Sequence, residues 1–150
     1  MIKISYELQR KGGNSSLTKH GVLWNEMLSA NDRMNPHVKA AITAHLRKLS
    51  AYQANHQGIH FDRPYGADWP AVVVVTVHPP TRRRMDPPNW YPTVKALVDG
   101  LTDAGIWTDD NSTVIPVMMF RAGCLSGSKK YRLDLAVWAL REASMMDLLN

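Results

Sequence analysis

The chain has 150 residues and a mass of 16.9 kDa, enough for one domain with a single hydrophobic core and too short for two. Hydrophobic residues make up 45% of the chain and charged residues 21%, which excludes a wholly disordered protein. The formal net charge of +5 favours a polyanionic partner. We therefore expect one domain over residues 1–150.

Neither a membrane anchor nor a disulfide framework is predicted. No apolar run approaches the roughly 18 residues that span a bilayer, and the first residues lack the apolar core of a signal peptide. We expect a soluble, cytoplasmic protein. Cys124 is the only cysteine, so one chain can build no disulfide and no cysteine-based zinc site. A buried or half-buried free thiol is expected there.

The first third of the chain predicts two strands and a helix. Residues 2–8 alternate apolar and polar side chains, which is typical of a half-exposed edge strand. The stretch GVLWNEML favours a second short strand. Asn35 is suited to cap a helix with Pro36 at its first position. Apolar residues at three- and four-residue spacing extend that helix to about Ala54.

The middle of the chain predicts a buried strand followed by a second helix. The run AVVVVTVH is β-branched almost throughout, as in a central strand covered on both faces. Pro79 and Pro80 end this strand because proline donates no ladder hydrogen bond. Asn89 is placed to cap the helix that follows, and Gly105 is placed to end it.

The last third predicts two further strands and a terminal helix. STVIPVMMFRAG and KYRLDLAVWAL read as strands joined by a Gly/Ser turn, and REASMMDLLN reads as a short helix. The order of elements indicates an α+β domain with a mixed β-sheet packed with helices.

Charged residues of both signs concentrate between the buried strand and the next one. Arg82, Arg83 and Arg84 precede Asp86 in the loop that leaves the strand. On the helix, Lys95 and Asp99 are four residues apart and share one flank. Asp109 and Asp110 occupy the turn after the helix. If the two loops lie at neighbouring edges, the carboxylates can hold Mg²⁺, which takes oxygen ligands, and the cations can bind phosphate.

Each of these features also has a purely structural explanation. An arginine triplet in a loop is commonly a solvated surface, and an Asp-Asp pair before Asn-Ser is commonly a turn. Lys95 and Asp99 can form an exposed helix pair worth a few tenths of a kcal/mol. Spacing alone leaves both explanations open.

The combined pattern is more specific. RRRMDPPNWYPTVKALVDGLTDAGIWTDDNSTVI resembles the signature of RusA-type Holliday-junction resolvases, with a basic loop, a helix carrying Lys-x-x-x-Asp-x-Leu, and a Gly-x-Trp turn before Asp-Asp. The resemblance is close over residues 82–115 and loose over residues 29–120, where SANDRMNP is similar to an element of phage-borne relatives. The matching positions are Arg84, Asp86, Asn89, Lys95, Asp99, Leu101, Gly105, Trp107, Asp109 and Asp110.

This resemblance implies a RusA-like fold and an activity. Its members are homodimers that bind four-way DNA junctions in recombination and repair and nick two strands with Mg²⁺, for which Mn²⁺ is a possible substitute. A protein of this type works in the cytoplasm of a bacterial cell or a phage-infected host.

The resemblance also implies roles for individual residues. Asp86, Asp109 and Asp110 would be catalytic metal ligands, and Lys95 would support the scissile phosphate or the nucleophile. Asp99 would assist at the metal. The implied DNA contacts are Arg82, Arg83, Arg84, Lys95 and Arg33.

One departure from the family pattern concerns the loop. Pro88 stands where the family commonly has a second loop aspartate, and three extra residues separate Asn89 from Lys95. Asn89 can supply an amide oxygen to the metal in place of the missing carboxylate, or it can cap the helix. The alternative function is therefore a catalytically impaired protein that binds branched DNA. A third interpretation is a protein-interaction domain whose basic loop contacts an acidic protein.

Overall fold

A mixed four-stranded sheet organises the chain. The computed structural model describes residues 1–10, 18–19, 22–23, 25–59, 62–144, 146 and 148. The strands are β1 (Ile2–Leu8), β2 (Thr18–Lys19), β3 (Val22–Leu23), β4 (Ala71–His78), β5 (Val117–Ala122) and β6 (Tyr131–Ala139). The main sheet has the order β1-β6-β4-β5, and β2 pairs with β3 in a separate two-stranded sheet. The predicted α+β class is confirmed.

The valine-rich strand β4 lies inside the sheet, as its sequence predicts. It is antiparallel to β6 and parallel to β5. Val72 to Val75 are fully buried, so both faces of the strand are covered. β1 is an edge strand, which agrees with its alternating pattern.

Two helices cover one face of the sheet. They are α1 (Pro36–His56) and α2 (Tyr91–Asp103). Asn35 caps α1 as predicted, because its side chain accepts a hydrogen bond from the backbone N–H of His37 at 2.8 Å. Gly105, with φ of +80°, follows the end of α2 in the left-handed conformation that glycine adopts easily. The core lies between these helices and alternate residues of the strands.

β4, α2 and β5 form a crossover unit. Parallel neighbouring strands need such a connection, because the chain has to return to the end of the sheet where it began. The loop after β4 therefore lies at one end of the strand pair, and the turn before β5 lies at the other end. α2, roughly 20 Å long by its number of residues, joins them. The chain nevertheless returns far enough along α2 for Asp110 to contact Lys95 in the second turn of the helix.

Several predicted boundaries are wrong. Of GVLWNEML, only Val22 and Leu23 are in a strand; residues 25–28 are irregular, and Gly21 and Trp24 lie outside the described residues. The strand predicted for STVIPVMMFRAG begins only at Val117, because residues before it form a turn closed by Asn111. The helix predicted for REASMMDLLN does not begin at Arg141, because Leu140–Glu142 form one 3-10 turn. Met146 and Leu148 are helical, and residues 145, 147, 149 and 150 lie outside the described part.

Two single-residue expectations are also corrected. Cys124 is exposed, since it follows the end of β5 in the loop before β6. Asn89 does not cap α2: the capping position is Trp90, with no side-chain hydrogen bond. A short 3-10 helix, Pro87–Trp90, runs directly into α2, so the helix has no free start for Asn89 to cap. Within the described residues, no helix has the length and apolar character needed to cross a membrane.

The helices approach each other most closely at Gly100. A Cβ atom added there would lie 2.3 Å from the carbonyl oxygen of Arg47 and 2.7 Å from Cβ of Ser50. Both distances are shorter than van der Waals contact, so only glycine fits. The side chain of Arg47 then reaches along α2 and donates two hydrogen bonds to Asp103, at 2.5 and 2.7 Å.

Replacing Gly100 by alanine should therefore destabilise the protein by about 1–3 kcal/mol, because the gain in helix propensity is outweighed by the forced separation of the helices. Urea denaturation measures the free energy of unfolding. Gly105→Ala is the matched control: its Cβ would meet no atom within 4 Å, and only the positive φ opposes it, at a cost of about 1–2 kcal/mol. A stabilised Gly100→Ala variant would contradict the packing described here.

Candidate functional site

The ammonium group of Lys95 joins two carboxylates. Lys95 lies in the second turn of α2 and donates hydrogen bonds to Asp99, one turn further along the helix, and to Asp110, in the turn after the helix. The side chains of Lys95, Asp99 and Asp110 are 44%, 28% and 21% exposed, so a ligand can reach all three from solvent. The helical spacing predicts the first pair, and the return of the chain along α2 supplies the second.

The charges of this cluster stabilise each other. The hydrogen bond from Lys95 holds the pKa of the Asp110 carboxyl below its usual range, although partial burial opposes the shift. Burial also opposes the charged form of Lys95, but its hydrogen bonds to Asp110 and Asp99 outweigh this effect and raise the pKa of the ammonium group. At neutral pH Lys95 is therefore a cation and Asp110 an anion.

Asp109 has a structural position in the same turn. One of its oxygens accepts a hydrogen bond from the backbone N–H of Asp110 at 2.8 Å, and the other accepts from the side-chain amide of Asn111 at 2.9 Å. Asn111 in turn accepts from the backbone N–H groups of Thr113 and Val114. Such local bonds are typical of Asp and Asn in turns. They account for Asp109, and they leave the carboxylate of Asp110 directed at Lys95.

The basic loop forms a second group of charged residues. Arg82, Arg83 and Arg84 are exposed. Asp86 and Asn89 flank the first residues of the 3-10 helix. Together with Arg84 and Met85 they line an open depression of about 580 Å³. A smaller pocket of about 150 Å³ lies beside it and adds Arg83 and Ser29 to the lining. Cations and one carboxylate thus share a concave surface at the start of α2.

The SANDRMNP segment packs against this loop. The backbone N–H of Ala30 donates to the carbonyl oxygen of Asn89 at 2.8 Å. Thr93 fixes the same segment, because its hydroxyl donates to the carbonyl oxygen of Leu28 and accepts from the backbone N–H of Leu28, both at 2.7 Å. Arg33 is exposed just beyond this segment. The two parts of the chain that carry the resemblance are therefore in contact.

An ion pair of Arg10 stabilises the segment from the other side. Arg10 donates to both carboxylate oxygens of Asp32, at 2.8 and 2.5 Å, and its guanidinium lies 5.4 Å from the ring centre of Trp90. Burial opposes ionisation of Asp32, but the hydrogen bonds from Arg10 and from the backbone of Ser29 lower the pKa of its carboxyl. Neither Arg10 nor Thr93 was found by sequence reasoning. No spacing rule links residues so far apart in the chain.

The proposed metal ligands fall into two groups. Asp99 and Asp110 share the Lys95 ammonium, whereas Asp86 and Asn89 line the depression at the start of α2. Across the described residues, no hydrogen bond or ion pair joins Asp86 to Lys95 or Asp110, and no three His, Cys, Asp or Glu side chains are placed to share one metal ion. Asp99 and Asp110 do direct two carboxylates at one cation. Such a donor set suits Mg²⁺, which proteins hold by one or two carboxylates plus water and phosphate.

A third charged group was not anticipated. Asp134, in β6, is buried and accepts hydrogen bonds from Ser5 and His78 on the face of the sheet opposite the helices. In the sequence, Asp134 stands alone among apolar residues of a predicted strand. Such a position indicates a buried carboxylate, and a buried carboxylate needs hydrogen-bond or charged partners. Sequence alone did not identify those partners.

Comparisons with known proteins add no further support. No protein-family model matches the sequence, and no curated protein is significantly similar to it. The resemblance to RusA-type resolvases therefore rests on the motif residues themselves.

Replacing Lys95 by methionine should destabilise the protein by about 1 kcal/mol at neutral pH, a value kept small by solvent screening. Asp99 and Asp110 would lose their shared partner and repel each other. Folding lowers the pKa of Asp110 below its usual value of 3.8. The ionised carboxylate therefore stabilises the folded state at any pH above 3.8, and this stabilisation is lost as the pH falls through the lowered pKa. The difference in unfolding free energy from wild type should therefore shrink below about pH 4.

Urea denaturation over a pH series measures this difference. Lys48→Met is the control, because Lys48 is exposed on α1 and has no ion pair within the described residues. Its effect should stay within about 0.5 kcal/mol at every pH. A difference for Lys95→Met that does not change with pH would show that the Asp110 pair contributes nothing to stability.

Proposed function

We propose that this protein is a structure-selective endodeoxyribonuclease that hydrolyses phosphodiester bonds in four-way DNA junctions with Mg²⁺. The observation that carries the proposal is the Lys95 ammonium held between Asp99 and Asp110, on the helix that follows a loop of three exposed arginines. Carboxylates together with arginines suit the cleavage of a polyanion such as DNA. The carboxylates hold a metal ion, and the arginines bind phosphate.

Lys95 has the central role in this proposal. Its raised pKa keeps the ammonium charged at neutral pH, and its 44% exposure lets it contact a phosphate oxygen of the substrate. The two carboxylates orient the ammonium before the substrate arrives. Such a preorganised charge stabilises the negative charge that develops on the phosphate in the transition state.

The arginines would bind the DNA backbone. Arg82, Arg83 and Arg84 are exposed, and Arg33 is exposed on the segment that packs beside their loop. Contacts of this kind set position and affinity but carry no sequence information. Selection of a branched substrate then depends on shape, which fits a protein that acts on junctions.

The proposed metal ligands are Asp110, with Asp99 and Asp109 as further oxygen donors near Lys95, and Asp86, with Asn89, in the separate depression at the start of α2. A bound Mg²⁺ supplies a polarised phosphate and an activated water. Asp110 suits this role because its lowered pKa keeps it ionised. The remaining terms of the proposal, a homodimer in the cytoplasm and substitution of Mn²⁺ for Mg²⁺, come from the resemblance alone.

A second function is favoured by the loop. Pro88 occupies the position of the second loop acid, and Asp86 has no contact with the Lys95 cluster within the described residues. A protein with these features can bind branched DNA through its arginines without cutting it. Cleavage assays separate the two functions directly.

The test uses a labelled four-way junction and a linear duplex of the same sequence. Wild type should nick the junction with Mg²⁺ or Mn²⁺, leave the duplex intact, and lose activity in EDTA. Asp110→Asn and Asp86→Asn should each lower the cleavage rate by about 100-fold or more, because a metal-held transition state loses a ligand. Both variants should still shift the junction in a native gel.

Asp103→Asn is the matched control, because Asp103 lies on α2 but is paired with Arg47 and not with Lys95. It should cleave at the wild-type rate. Undiminished cleavage by both Asp110→Asn and Asp86→Asn would exclude the assigned roles. Junction binding without cleavage in either metal would select the impaired binding protein. An affinity for the junction that does not fall as salt rises would exclude DNA as the main partner. Each neutralised phosphate contributes about −0.9 to the slope of log binding constant against log salt concentration.

A further inference from the structure

The sheet has a second face, opposite α1 and α2, that is covered in part: Val72 and Val74 are buried there, and the helical residue Met146 lines the groove beside them. In the register of the sheet, Ser5, Asp134, Thr76 and Arg121 form one row across all four strands. We call the groove on this side the outer groove. It has a volume of about 680 Å³. The lining residues used below are Lys3, Thr76, His78, Arg121, Arg132, Asp134 and Trp138.

Asp134 is the buried anchor of the outer groove. One of its oxygens accepts a hydrogen bond from the hydroxyl of Ser5 at 2.7 Å, and the other lies 3.1 Å from Nε2 of His78. The ammonium of Lys3 and the Nε of Arg132 approach the same carboxylate at 3.7 and 3.4 Å. One buried anion therefore gathers two cationic side chains, one more than it can neutralise.

His78 is fixed in place by its surroundings. Its Nδ1 lies 2.8 Å from the carbonyl oxygen of Cys124, on the side away from Asp134. A Cβ atom on Gly123 would lie 2.4 Å from the ring, so glycine is required for the loop to pass this closely. His78 is thus held by hydrogen bonds on both ring nitrogens and by close packing of Gly123.

Two arginines keep most of their hydrogen-bonding capacity free. Arg121 donates from Nε to the hydroxyl of Thr76 at 2.7 Å, and Arg132 contacts Asp134 through Nε only. A guanidinium has five N–H donors, and the terminal pairs suit phosphate geometry. In the part of the chain described here, no acceptor is bonded to those terminal nitrogens. Both arginines line the groove and are each held there through Nε.

Trp138 adds a flat apolar surface to the same groove. It is half-buried in β6, directly opposite Val72 of β4 in the register. Lys3 lies beside it on the neighbouring strand, opposite Ala136. A groove with free cations and an aromatic ring combines the two features that proteins use to bind single strands: charge for the backbone and a ring on which bases stack.

We propose that the outer groove binds single-stranded nucleic acid. Arg121, Arg132 and Lys3 contact phosphates, and Trp138 stacks on a base. A second copy of the chain fits this face less well, because it would bring the same three cations against one another. The proposal is independent of the nuclease, since it uses none of the residues around Lys95 and needs no metal.

The experiment measures fluorescence anisotropy of labelled oligothymidine and oligouridine, each about 20 nucleotides long, with the full chain in EDTA. Wild type should bind, and affinity should fall with salt at a slope of about −0.7 per phosphate contact. The double variant Arg121→Gln/Arg132→Gln should bind about tenfold more weakly, with a slope smaller by about 1.4. Trp138→Leu should also lose about tenfold, but at an unchanged slope.

Lys39→Gln/Lys48→Gln is the charge-matched control, because both lysines are exposed on α1, on the helix side of the sheet. It should change the affinity less than twofold. Asp110→Asn should bind as wild type does, which separates this proposal from the nuclease. Circular dichroism checks the fold of each variant. Lys3→Gln, at a position 56% exposed, replaces the arginine pair if that variant does not fold, with an expected loss of about threefold.

Several outcomes would overturn the proposal. One is an equal loss of oligonucleotide affinity in Arg121→Gln/Arg132→Gln and in the control Lys39→Gln/Lys48→Gln. Binding would then depend on net charge alone. Another is wild-type affinity in the folded groove variants. A third is a dimer, seen by sedimentation, that the Trp138→Leu substitution dissociates while the affinity for the oligonucleotides stays the same. That result would show that this face binds a second copy of the chain. The two oligonucleotides show whether the groove takes DNA, RNA or both.

Discussion

Burial of β4 on both faces is the constraint on which the arrangement depends. Val73 and Val75 face the helices and Val72 and Val74 face the outer groove side, and all four are fully buried. Burying each such side chain contributes about 1.5–3 kcal/mol relative to exposure. Because β4 also pairs along both edges, every other strand of the main sheet takes its place relative to it.

The position of the charged residues follows from this strand. β4 ends at prolines, so the arginine loop begins at one end of the sheet, and the parallel pairing with β5 requires α2 to carry the chain back. Lys95 lies partway along that return. From there it contacts Asp110 in the turn ahead, while the loop behind it starts the same helix. A single crossover thus determines which carboxylates meet the ammonium and which remain near the arginines.

Local patterns in the sequence predict much of this fold. The β-branched run predicts β4, Asn35 and Pro36 predict the start of α1, and four-residue spacing predicts the contact between Lys95 and Asp99. Each of these depends on neighbours in the chain, which a sequence displays directly. The end of α2 at Gly105 belongs to the same group.

Features that depend on distant partners are not predicted. Asn89 is a good helix cap by residue type, but two prolines start a 3-10 turn that makes a cap unnecessary. Cys124 has the apolar character of a buried residue, yet the turn between β5 and β6 exposes it. The partners of Asp134 come from three strands, and the strand order that joins them follows from packing of the whole sheet.

The net charge of +5 is also distributed by this architecture. Cations that meet a carboxylate, such as Arg10 with Asp32 and Arg47 with Asp103, join segments of the fold and are neutralised there. The excess positive charge therefore has to lie elsewhere. Among the described residues, parts of it lie on the arginine loop, on the exposed lysines of α1, and around Asp134, where one anion faces two cations. The arginine loop follows β4 at the end where His78 lines the outer groove, so the loop and the groove lie at the same end of that strand.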